Sequence, residues 1–134
     1  MKKLTEKLKN YPRQLLLADC AGALISAFML GVVLVHWQNF FGIPVYALYI
    51  LAAIPCFFAL YDLAVYSVES ANTYTALKNM AFLNIAYCIF SLGIALFHVS
   101  SIEVAGWVYL IGEVIIVLLL ARLELLVASS RPLN

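Results

Sequence analysis

Four carboxyl side chains stand inside stretches that are otherwise apolar: Asp19, Asp62, Glu113 and Glu124. An acid in hydrocarbon is costly unless it is protonated, paired or turned toward a cavity. Acids in such places bind a proton, exchange it for a cation or polar molecule, or act as neutral hydrogen-bonding glue between helices. Glu113 is the central case, because it lies near the middle of the apolar run 104–127.

Helical spacing sorts these groups by face. Glu124 is eleven residues beyond Glu113, a net turn of ~20° at 100° per residue, so the two acids share a face with Gly106, Tyr109, Val117 and Leu120. Arg122 is two residues from Glu124, ~200° around the helix, and cannot pair with it directly. It either extends to lipid phosphate or pairs with Asp62 or Asp19 of another helix. In the third apolar run, Asn84, Ser91 and His98 recur every seven residues, with Tyr87, Cys88 and Ala95 alongside. The first run groups Asp19, Gly22, Ala23 and Ser26, small residues that allow helices to approach closely. In the second, Leu51, Pro55, Phe58 and Asp62 share a face, and Pro55 leaves the Leu51 carbonyl without its helical donor. Each run thus offers a polar group to a common interior.

The elements that hold these groups are membrane helices. The chain has 134 residues, 66% hydrophobic and 11% charged, with mean hydropathy +1.01, far from the composition of soluble domains. A spanning helix needs ~20 apolar residues, and four such runs fall at about 14–35, 44–66, 77–98 and 104–127. The expectation is an all-α membrane protein of one domain, a four-helix transmembrane bundle. Residues 1–13 form an interfacial amphipathic segment, with Leu4, Leu8, Tyr11 and Leu15 on one side among lysines. No small-x-small cleavage site follows the first run, so it reads as a retained span and not a signal peptide. Lys2, Lys3, Lys7, Lys9, Arg13, Lys78 and Arg131 lie at the termini and in the second loop, and the other two loops have no basic residue. The positive-inside rule then places both termini in the cytoplasm of a bacterial inner membrane.

A constant offset of 62 superposes 28–36 on 90–98 with five of nine positions identical, and Asp62 on Glu124 without a gap. Two tandem helical hairpins related by a pseudo-two-fold axis along the membrane normal would produce this pattern. In depth, Asp19, Asp62 and Glu124 fall near the cytoplasmic boundary, Asn84 is higher and Glu113 is near mid-membrane. The expected feature is a polar seam open toward the cytoplasm and ending at Glu113, with Asn84 and Tyr87 as its hydrogen-bond partners.

Other chemistries find less support. His36 and His98 invite a bis-histidine haem b or a metal site, but both fall at the membrane boundary, where an interfacial ring is common. Cys20, Cys56 and Cys88 lie within spans, with no CxxC, and read as buried thiols. No Ser or Cys stands with a His and a carboxylate at one depth, so nucleophilic catalysis has no candidate. Without a basic patch interleaved with aromatics there is no case for nucleic acid.

The chain resembles a widespread group of small bacterial four-span proteins. Their pattern has an Asp early in span one, Leu/Ile-Pro in span two, an Asn followed by an aromatic in span three, and a Gly, a Gln or Glu and a later Glu in span four. Here these are Asp19, Ile54-Pro55, Asn84 with Tyr87, and Gly106 with Glu113 and Glu124. The resemblance implies that these residues form one cluster and implies no activity. The expected function is non-enzymatic: a seam of Glu113, Asn84, Tyr87, Asp19, Asp62 and Glu124 that takes a proton, an ion or a small polar or lipidic ligand. Expected partners are membrane lipids and a second copy or larger complex, since four helices make a thin transporter. Two alternatives stand beside this, an accessory subunit whose seam only locks helices and a small cytochrome or metal protein.

Overall fold

The computed structural model describes residues 3, 6, 7, 10–68 and 72–129, and among them no strand occurs. Four long helices, α1 (Pro12–His36), α3 (Val45–Ser67), α4 (Thr73–Phe97) and α5 (Val104–Ser129), each contain an 18-residue stretch of mean hydropathy 2.0 or more. A short α2 (Gln38–Phe41) lies between α1 and α3. The long helices have 23 to 26 residues, or ~35–39 Å at 1.5 Å per residue, enough to cross a ~30 Å hydrocarbon core. The chain is an all-α four-helix bundle, as its composition requires.

Local chemistry sets the helix ends. Pro12 occupies the start of α1, where a missing N–H costs nothing. The Asn72 side chain accepts a bond from the Thr75 amide at 3.2 Å, so α4 begins at Thr73 instead of 77. A polar cap extends the helix past its apolar run. Leu4 and Leu8 of the expected interfacial segment lie outside the described residues, as do Lys2, Lys9 and Arg131.

Packing is intimate within two hairpins, α1 with α3 and α4 with α5. Cysteines bind each pair together: the Cys20 thiol points to the Ala59 carbonyl at 3.7 Å, and the Cys88 thiol to that of Val114 at 3.9 Å. Cys56, expected to be buried, is exposed; it lies beside the inward-facing Pro55 on a helix edge that faces outward.

The hairpins meet at both ends. At the end with the α1–α3 and α4–α5 connections, an apolar cluster includes Leu30, Leu34, Leu48, Leu51, Ile102 and Leu110. There the Glu103 amide donates to the Phe41 carbonyl at 3.0 Å. Gly42, at φ +74°, has the left-handed backbone that only glycine adopts at no cost, and Gly106 sits so close to the Phe41 carbonyl that a Cβ would collide with it. At the end with the termini, Leu15, Leu16, Ala76, Leu77 and Val127 form a second cluster. Arg13 adds to that end by donating to the Tyr66 carbonyl and lying 4.6 Å over the Tyr66 ring. Between these two ends α1 and α5 scarcely touch.

A π turn at Met29–Val33 interrupts α1. The extra residue in a π turn rotates the next stretch of helix about its axis, and in and beyond this turn Leu30 and Leu34 are fully buried.

Candidate functional site: two polar tiers and a side cavity

Two polar tiers lie between the apolar clusters. The tier nearer the termini takes one residue from each long helix: Asp19, Asp62, Asn84 and Glu124, all 5% exposed or less. The Asn84 amide donates to Asp19 Oδ1 at 3.2 Å and to Glu124 Oε1 at 2.8 Å. Asp62 lies alongside Asp19, with Glu124 close by. One amide therefore serves this group, and Asp19 Oδ2, both oxygens of Asp62 and Glu124 Oε2 have no donor. Leaving buried carboxylate oxygens unpaired costs more than leaving neutral groups unpaired.

The second tier surrounds Glu113. Its Oε1 accepts from Ser26 at 2.6 Å and from Tyr87 at 2.8 Å, which joins α5 to α1 and α4. Tyr109, one turn earlier on α5, faces the same carboxyl. Oε2 has no donor. The Tyr87 hydroxyl also lies 3.4 Å from the Leu51 carbonyl, the acceptor that Pro55 leaves without a helical N–H. The Phe58 ring meets the Tyr87 ring edge-on, with centroids 6.2 Å apart.

A cavity of about 480 Å³ joins the tiers, with Asp19 and Asn84 among its lining residues at one end and Glu113 and Tyr109 at the other. It lies where α1 and α5 separate. Ile25, Val108 and Ile116 line it while 64–67% exposed, which makes them the rim of an opening on the side of the bundle. Gly22 and Gly112 widen that opening, since a Cβ on either would meet nothing within 4 Å. No lysine, arginine or histidine is among the described residues that line the cavity.

The six residues singled out in the sequence do gather in the interior, but in two tiers instead of one seam. Tyr87 bonds Glu113 as expected. Asn84 does not; it serves Asp19 and Glu124, because relative depth in the α4–α5 hairpin depends on turn geometry and tilt, which counting residues does not capture. The seam was expected to open toward the cytoplasm. The end with the termini is closed by Leu15, Leu16, Leu77 and Val127, each 1% exposed or less, and the opening is lateral. Gly22, expected to bring helices together, borders open space instead. Arg122 is exposed and pairs with neither Asp19 nor Asp62, whose free oxygens have no donor. Ser26 and Tyr109 were not named as partners of Glu113. Their signal was present: Tyr109 precedes Glu113 by four residues and Ser26 shares the face of Asp19.

The histidines lie apart from this site. His98 Nδ1 is 3.0 Å from the Ile94 carbonyl and its Nε2 meets the Tyr46 hydroxyl. His36 is exposed, its ring edge-on to Trp37 at 5.6 Å. Among the described residues, no group of three or more His, Cys, Asp and Glu could hold a metal ion.

A bundle of four membrane-length helices with acids in its interior has the architecture of a multi-pass membrane protein. No family model matches the chain, and neither a curated protein nor a solved structure is significantly similar to it.

Proposed function

We propose that this is a non-enzymatic multi-pass protein of a bacterial inner membrane, with both termini in the cytoplasm, whose α1–α5 cavity binds a small ligand anchored by Glu113. The observation that carries this reading is the division of labour between the two oxygens of that residue. Ser26 and Tyr87 hold Oε1, and Oε2 belongs to a cavity-lining carboxyl and has no donor. Orienting a group before its ligand arrives lowers the entropy cost of binding. The cavity size falls within the ~300–1,000 Å³ of small-molecule sites. The Asp19–Asp62–Asn84–Glu124 tier lies beneath it, and Asp19 and Asn84 border the same cavity.

The accessory-subunit reading draws on one observation of its own: the Ser26–Glu113–Tyr87 and Asp19–Asn84–Glu124 bonds each tie three helices together. Native mass spectrometry of the purified protein separates the two. A ligand-binding bundle retains a small molecule that is lost from Glu113→Gln and from the cavity-filling Gly112→Leu, with thermal unfolding unchanged in Glu113→Gln. A purely structural seam retains nothing that depends on either residue.

A further inference from the structure

We infer that the ligand is a single-chain amphiphile with an ammonium-type head, which reaches Glu113 from the bilayer through the gap between α1 and α5. This rests on the cavity being a binding site, and names what it takes. Three features of the site specify the chemistry. First, the rim residues Ile25, Val108 and Ile116 are exposed apolar side chains, so an alkyl chain leaving the cavity passes over hydrocarbon-like surface into lipid. Second, the charged side chains that line the cavity are both acids, Glu113 and Asp19, and each has one oxygen, Oε2 and Oδ2, buried in the wall without a donor. A cation supplies what these oxygens lack, and an anionic head would meet only like charge. Third, Phe58, Tyr87 and Tyr109 line the cavity beside Glu113. Aromatic faces next to a carboxylate are the arrangement that recognises ammonium groups through cation–π attraction. A phospholipid amine fits less well, because its phosphate would enter a cavity with no basic residue among its described lining.

The test uses the full chain in phosphatidylglycerol nanodiscs, with dodecyltrimethylammonium, dodecanol and dodecanoate as probes and the thermal-unfolding midpoint as readout. The cation is expected to raise the midpoint dose-dependently and the other two much less. Its affinity should fall about tenfold or more in Glu113→Gln, the loss of one desolvated charge contact, and vanish in Gly112→Leu. If Gly112→Leu fails to fold, Gly22→Leu closes the opening from α1. Preference for dodecanol or dodecanoate overturns the ammonium assignment, and so does equal binding of all three that survives Glu113→Gln but not Gly112→Leu; both outcomes leave the binding site standing. Displacement of the cation by added phosphatidylethanolamine overturns the single-chain assignment in favour of a lipid headgroup. A response to no probe, or one indifferent to both cavity-filling variants, overturns the binding site itself.

Discussion

The two oxygens of Glu113 have different neighbours, and substitutions there separate structure from binding. Gln retains an acceptor for Ser26 and Tyr87, so Glu113→Gln should leave stability within about 0.5 kcal/mol of wild type. Glu113→Ala removes both interhelical bonds and should cost ~1 kcal/mol, in the range of such bonds in membranes. Reversible unfolding in mixed micelles distinguishes them. Asn84 is more demanding. It is the donor to both Asp19 and Glu124, and Asn84→Leu should lower stability by about 1–3 kcal/mol by leaving buried acceptors unserved; an unfolding midpoint equal to wild type would show that other donors replace it. The sequence made Glu113 and Tyr87 legible as partners, since both are inward-facing and near mid-membrane. It misplaced Asn84 because the partner of an amide depends on ångström-level offsets between helices.

The helices themselves were legible to within a few residues wherever apolar length sets them, and less so where one side chain does, as with Asn72 ahead of α4. The π turn at Met29–Val33 left no mark in the sequence, since Met-Leu-Gly-Val-Val carries no proline or charge to announce it. The glycines show the same limit. Gly22, Gly106 and Gly112 all lie within apolar helices, yet their surroundings differ. At Gly106 a methyl meets the Phe41 carbonyl, and Gly106→Ala should cost about 1–3 kcal/mol through overpacking. At Gly112 it meets nothing, and Gly112→Ala should stabilise α5 by about 0.5–1 kcal/mol through backbone entropy alone. Parallel thermal unfolding of the two variants checks the contrast, and equal effects would contradict the packing described for α5.

In the bundle as a whole, the four spans and their up-and-down order follow from composition and loop length, whereas the site of its opening follows from helix tilt. Closure at both ends and separation of α1 from α5 in between are properties of the assembled hairpins, and no single helix face encodes them. Our proposal that both termini face the cytoplasm rests on the charge asymmetry of the loops. A green fluorescent protein fused after residue 134 should fluoresce and alkaline phosphatase at the same point should be inactive; the reverse pattern would invert the topology. The lateral opening also changes what dose means for this protein. A molecule that reaches Glu113 through lipid is sampled as a mole fraction in the bilayer, so the apparent aqueous affinity of any amphiphile includes its partition coefficient. Doubling the lipid at fixed total ligand should then weaken apparent binding, and two ligands with the same head should rank by how strongly their tails favour the membrane.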